Sequence, residues 1–144
     1  MSTDTPRPAP IPPRFPISEA DIDRTVRVFY AAIRRHEVLG PVFANHVHDW
    51  PAHEARIARF WRRAILHQPG YDGNPMQVHL AAGDVRSRHF PIWLALFDET
   101  LRRTVTPEIA ASWSALAHRI GRGLRMGVED ISERSHPPGP PALR

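Results

Sequence analysis

The chain has 144 residues, 42% hydrophobic and 24% charged, with a formal net charge of +4 and no cysteine. The lack of cysteine excludes disulfides, thiolate nucleophiles, iron–sulfur clusters and cysteine-type zinc sites, so any metal chemistry must use histidine. No apolar run approaches the roughly 18 residues of a membrane span, and the N-terminus lacks the basic-then-apolar order of a signal peptide, so a cytoplasmic protein with no membrane partner is expected.

A sequence pI near 10.8 resembles a nucleic-acid signature. All 19 basic residues are arginine, however, and without lysine or cysteine little remains to neutralise a modest positive charge until very high pH. The pairs Arg34-Arg35, Arg62-Arg63 and Arg102-Arg103 are spread over three helical segments, a pattern of solvated surface, and no nucleic-acid partner is expected.

In chain order, residues 1–16 carry six prolines and read as a flexible leader. Ser18 then resembles a helix cap, and Ile22, Val26, Phe29, Tyr30 and Ile33 fall on one face of a helix reaching about His36. Gly40-Pro41 is expected to stop it, with Phe43 in the following corner. Asp49 and Pro51 suit the start of a second helix, along which His53, Ile57, Phe60, Trp61 and Ile65 follow helical spacing to about His67. A loop over 68–75 leads to a short helix bearing Met76, His79 and Leu80, ended by Gly83. Phe90, Trp93, Leu94, Phe97 and Leu101 mark a further helix to about Thr104. Thr106 and Pro107 open the last, with Ile109, Trp113, Leu116, Ile120 and Leu124 along its apolar stripe. Residues 129–144 end in a proline-rich run and read as a disordered tail, leaving 17–128 as the one folded unit.

The fold class is therefore all-α, and its unusual feature is that histidines, a tyrosine and tryptophans occupy core-facing positions. A flat apolar cofactor larger than any side chain would account for the short central helix and the inward rings. Haem needs little more than such a pocket and one axial histidine. His79 is the candidate metal ligand; the alternative is a core histidine satisfied by a hydrogen bond. Opposite the iron, the Tyr30 hydroxyl and the Trp93 indole N–H are donors suited to a bound oxygen species with negative charge. Tyr30 could equally turn its hydroxyl to a surface, and Trp93 could be a core filler. His53 could hydrogen-bond a ligand, coordinate the sixth position, gate access, or stand at the core margin.

Phe29-Tyr30, Leu39-Gly40-Pro41-Val42-Phe43, Trp50-Pro51-Ala52-His53, Phe60-Trp61, His79-Leu80 and the run from Phe90 to Phe97, in this order, resemble the group III truncated haemoglobins over about Ile22 to Leu124. The resemblance implies a shortened globin, a two-over-two helical sandwich around haem b (iron protoporphyrin IX). It implies His79 as proximal ligand and Tyr30, His53 and Trp93 as distal, catalytic residues. Phe29, Phe43, Ile57, Phe60 and Trp61 match positions that pack around the haem, and Met76 on the short helix joins the cofactor-binding set. Arg56, one turn from His53, is placed to reach a haem propionate. The chain departs from the family pattern at its proline-rich ends and in the arginine-rich approach from Asp84 to His89.

A donor-rich pocket slows oxygen release, which favours use of bound oxygen over its delivery. The expected function is binding of dioxygen, nitric oxide, carbon monoxide or peroxide, with nitric oxide dioxygenase or peroxidase-like detoxification supported by a reductase. A non-catalytic gas-binding or sensing globin is the alternative, and a cofactor-free helical interaction protein the third.

Overall fold

The computed structural model describes residues 11–45, 47–69, 86 and 88–135, with side chains as far as residue 123. Among them there is no strand. The helices are α1 (Glu19–Arg35), α2 (Leu39–Ala44), α3 (Trp50–Leu66), α4 (His89–Thr104) and α5 (Pro107–Ser135). The helix expected around His79, with Met76, lies outside the described residues.

Local chemistry explains each boundary. Ser18 opens α1 by accepting the Asp21 N–H at 3.1 Å, with acidic residues in the first turn and Arg34 and Arg35 in the last, as the helix dipole favours. Asp49 opens α3 in the same way, accepting from the Ala52 N–H at 3.0 Å, with Pro51 in the first turn, where its missing N–H is not needed. Thr106 accepts from the Ile109 N–H ahead of α5.

The corner after α1 differs from expectation. Gly40-Pro41 does not stop α1; both residues lie within α2, and α1 ends at Arg35 with His36 as its C-cap. The His36 ring then serves the next helix, its Nδ1 accepting from the Val38 and Leu39 N–H groups at 3.1 and 3.2 Å. Gly40 is needed for close approach, because a Cβ there would stand 3.0 Å from the Arg34 carbonyl oxygen. Pro41 falls in the first turn of α2, where no helical donor is lost.

The proline-rich N-terminal segment is not wholly separate from the fold. Phe15 is buried, with its ring 6.4 Å from that of Trp113. Arg14 donates from its backbone N–H to Ile65 O at 2.9 Å and from Nε to Ala64 O at 2.8 Å, satisfying last-turn carbonyls of α3. A single aromatic ring among prolines suffices to anchor the strand of chain that carries it. At the other end, the α5 backbone runs on to Ser135, past position 128.

Two helix pairs form the body, α1 with α3 and α4 with α5, and α1 packs across α4 to join them. At their meeting point Phe97 is fully buried. Trp61 and Trp93 stack on it at 5.6 and 5.4 Å, with interplanar angles of 9° and 14°. Phe29 and Trp113 meet it edge-on at 4.9 and 5.5 Å. Polar seams flank this stack. Buried Thr25 of α1 donates to Thr104 Oγ1 at 2.9 Å, and the Thr104 hydroxyl in turn donates to the Thr100 backbone carbonyl at 3.1 Å. Asp98 of α4 accepts from Ser114 Oγ at 2.6 Å and pairs with His118 Nε2 at 2.8 Å on α5. α4 packs closely on α5 at Gly121, where a Cβ would lie 3.1 Å from Leu94 Cδ1 and the leucine side chain would have to give by a few tenths of an ångström.

Phe97→Ala removes the ring between two stacked tryptophans and is expected to cost about 3–5 kcal/mol of stability, against about 1 kcal/mol for Phe97→Leu, which keeps most of the volume. Urea unfolding of the two variants beside the parent measures the difference.

Candidate functional site

The last two turns of α1 present Phe29 and Tyr30 inward, adjacent residues whose ring centroids are 5.3 Å apart. Tyr30 is 1% exposed. From α3, His53 comes edge-on to Tyr30 at 4.9 Å and 85°. From α4, Trp93 comes edge-on to Phe29 at 5.0 Å and 88°. Residues far apart in sequence thus meet around the Phe29-Tyr30 pair, and all three sequence-selected distal residues belong to one aromatic group. Phe43 of α2 closes on Tyr30 at 6.3 Å.

The Trp93 Nε1 atom is buried and has no hydrogen-bond partner among the described residues. A buried donor without an acceptor costs about 1–3 kcal/mol, so this atom beside Phe29 favours any group that can accept from it. Trp113 Nε1 is also unpartnered, but that ring is enclosed by Phe15, Trp61 and Phe97 and belongs to the core. Phe43, Phe60 and Trp93 are only half-buried, leaving apolar ring surface for a flat apolar group to cover. A donor aimed inward and uncovered aromatic faces are what a haem pocket requires, and these residues fit that group.

The other sequence-selected residues divide into three sets. Ile57 is buried on α3, and Trp61 lies deep in the core, flat against Phe97 and edge-on to Trp113 at 5.5 Å. Phe60 adjoins Trp61 at 5.0 Å. Arg56 is exposed on α3. Met76 and His79 lie outside the described residues, and among those described no three of His, Cys, Asp and Glu converge to hold a metal ion.

Trp50 was not assigned a part in the site from the sequence, yet its ring lies 6.2 Å from Tyr30 and 6.1 Å from His53. The signal was present: Trp50 stands three residues before His53, a spacing that places both on one helix face. Arg34 of α1 lies over the Trp50 ring at 4.9 Å, and its Nη2 is 3.6 Å from Glu54 Oε2. A separate groove of about 360 Å³ lies between α1 and α3, with Val26, Ala55 and Ala58 along it and the Asp23–Arg62 ion pair, 2.6 Å, at its rim. It contains none of the distal group.

No family model matches the chain. It is 32% identical over 97 residues to the Group 3 truncated hemoglobin ctb of Campylobacter jejuni, an alignment covering 65% of this chain and 76% of that relative. The crystal structure of a group III truncated hemoglobin from Campylobacter jejuni superposes with a TM-score of 0.74 and 28% identity, covering 78% of this chain and 92% of that one.

Because the Trp93 N–H has no acceptor to lose among the described residues, Trp93→Phe is expected to cost the haem-free chain only the packing of the lost ring, about 1–2 kcal/mol, while keeping a ring on Phe97. Denaturant unfolding of the haem-free protein tests this; a larger loss would mean that the indole N–H is satisfied within the protein.

Proposed function

The chain belongs to the group III truncated haemoglobins, and from that premise we propose that it binds dioxygen at haem b through His79 and uses it in redox detoxification, oxidising nitric oxide or reducing peroxide or peroxynitrite. Membership makes it a haem globin for small ligands. The observation that carries the finer reading is the buried Trp93 Nε1, without a partner among the described residues, against Phe29, whose neighbour Tyr30 meets His53.

Haem supplies dioxygen binding and one-electron redox chemistry when it is bound. The chain's own residues decide how that chemistry is used. The Trp93 indole N–H and the Tyr30 hydroxyl are donors, and in a water-poor pocket each hydrogen bond to a ligand oxygen carrying negative charge is stronger than in water. His53, edge-on to Tyr30, can hold a proton near the same oxygen or deliver it. Phe29 and Phe43 exclude water from Tyr30. Exposed Arg56 supports a propionate contact at the pocket margin. Two donors on one ligand slow its release, which favours reaction over delivery. A reductase is then needed to restore the ferrous state after each oxidation. Among the described residues no helix is long and apolar enough to cross a membrane.

Absorption spectra of the haem-loaded protein in ferric, ferrous and carbon-monoxide-bound forms are expected to show a Soret band that shifts at each step, and His79→Ala is expected to lose it. Tyr30→Phe and Trp93→Phe should each speed dioxygen dissociation about tenfold, the equivalent of about 1.4 kcal/mol for one lost hydrogen bond to a charged acceptor. Stoichiometric nitrate from nitric oxide and the oxygenated protein supports the detoxifying reading. Its absence, with dioxygen binding intact, leaves a gas-binding or sensing globin.

A further inference from the structure

We propose that Trp50, held in place by Arg34, is the outer door of the distal pocket and sets how fast a small ligand reaches Tyr30 and His53. This rests on the haem reading above and concerns residues to which that reading gives no part. Tyr30 is buried, so a ligand coming to it from solvent must pass a neighbouring side chain. Phe43 touches Tyr30, but Trp50 meets Tyr30 and His53 both, at 6.2 and 6.1 Å, and is itself half-buried. Its indole therefore spans the way from the surface to the distal pair.

The clasp on that indole has a defined form. Arg34, in the last turn of α1, places its guanidinium carbon 4.9 Å from the centroid of the Trp50 ring. The same guanidinium reaches Glu54, four residues further along α3, at 3.6 Å. One side chain thus joins the end of α1 to the start of α3 across the α2 corner. The Arg34 side chain is 43% exposed and that of Glu54 only 13%, so the carboxylate is fixed and the arginine is the part that can leave. Contacts of both kinds are weak at exposed positions, so they hold the ring shut without locking it. Trp50 is also the first residue of α3, where the backbone N–H is outside the helical ladder and movement disturbs little else.

The test uses the full haem-loaded chain with carbon monoxide as probe, followed after flash photolysis. Arg34→Met keeps an unbranched apolar stem and removes the guanidinium with its charge; Trp50→Ala removes the door. Both are expected to raise bimolecular carbon monoxide association roughly tenfold and to lower the fraction that recombines from within the pocket. Raising the salt should speed the parent but not Arg34→Met, because an exposed ion pair is screened. A readout independent of haem is acrylamide quenching of tryptophan emission in the haem-free chain. Arg34→Met should add a quenchable component that disappears when Trp50→Phe is combined with it. Arg34 is exposed, so its variant folds even where Trp50→Ala does not. Association within about twofold of the parent in Arg34→Met, with an intact haem spectrum, overturns the door. A parent with no haem spectrum overturns the haem reading and the door with it.

Discussion

The stack of Trp61, Phe97 and Trp93 is the contact around which the other helices are placed. Among the described residues Phe97 is the ring that touches aromatic side chains from α1, α3, α4 and α5, so a shift of one helix pair relative to the other disturbs it. Its two stacked partners do different work. Trp61, backed by Trp113 and the Phe15 anchor, is core. Trp93 has a buried indole N–H with no acceptor among the described residues. Stacking fixes the plane of the Trp93 ring, and a fixed plane fixes the direction of its donor. In the proposed reading, a donor that cannot turn away to find water is oriented for a ligand oxygen before that ligand arrives.

The polar contacts arrange the helix ends so that the stack can form. The Thr25 hydroxyl of α1 donates to that of Thr104 on α4, which donates to the Thr100 carbonyl, and Asp98 ties α4 to Ser114 and His118 of α5. At the α1–α2 corner the His36 ring supplies acceptors to the next helix, and Gly40 lets that helix pass within contact of the Arg34 carbonyl. That tight corner returns the chain so that α3 begins beside the end of α1. His53 arrives edge-on to Tyr30 for this reason, and Arg34 arrives over Trp50 for the same one.

A globin with two distal donors has to reconcile tight holding of the ligand with access for it. Here the tasks fall to different chemistry. In the proposed reading, holding falls to the Tyr30 hydroxyl and to the buried Nε1 of half-buried Trp93, in surroundings of low dielectric where hydrogen bonds are strong. In the proposed door, access falls to the Arg34 guanidinium at the surface, where charge contacts are weak and salt-sensitive. The two sets adjoin through Trp50, so a change at the surface can alter ligand traffic while the donor geometry inside is kept. The wealth of arginine and absence of lysine in the chain suits this use, since guanidinium stacks on aromatic faces and pairs with carboxylates at once.

By itself the sequence determined the four long helices among the described residues, because capping side chains and apolar spacing act over a few residues. Ser18, Asp49 and Thr106 open the helices expected of them, and the apolar faces of α1 and α3 are the ones buried. The order of its aromatic motifs also carried the family. Where a local signal had two readings, it failed: Gly-Pro usually breaks a helix, but at 40–41 the glycine serves close approach and the proline fits a first turn. Proline content likewise concealed the Phe15 anchor, whose partner Trp113 is distant in the chain. Tertiary structure alone decided which rings stack, that Trp93 keeps a donor unpartnered, and that Arg34 covers Trp50. Each of these depends on the crossing of two helices, and spacing along one helix says which face a residue occupies but not which residue of another helix it will meet.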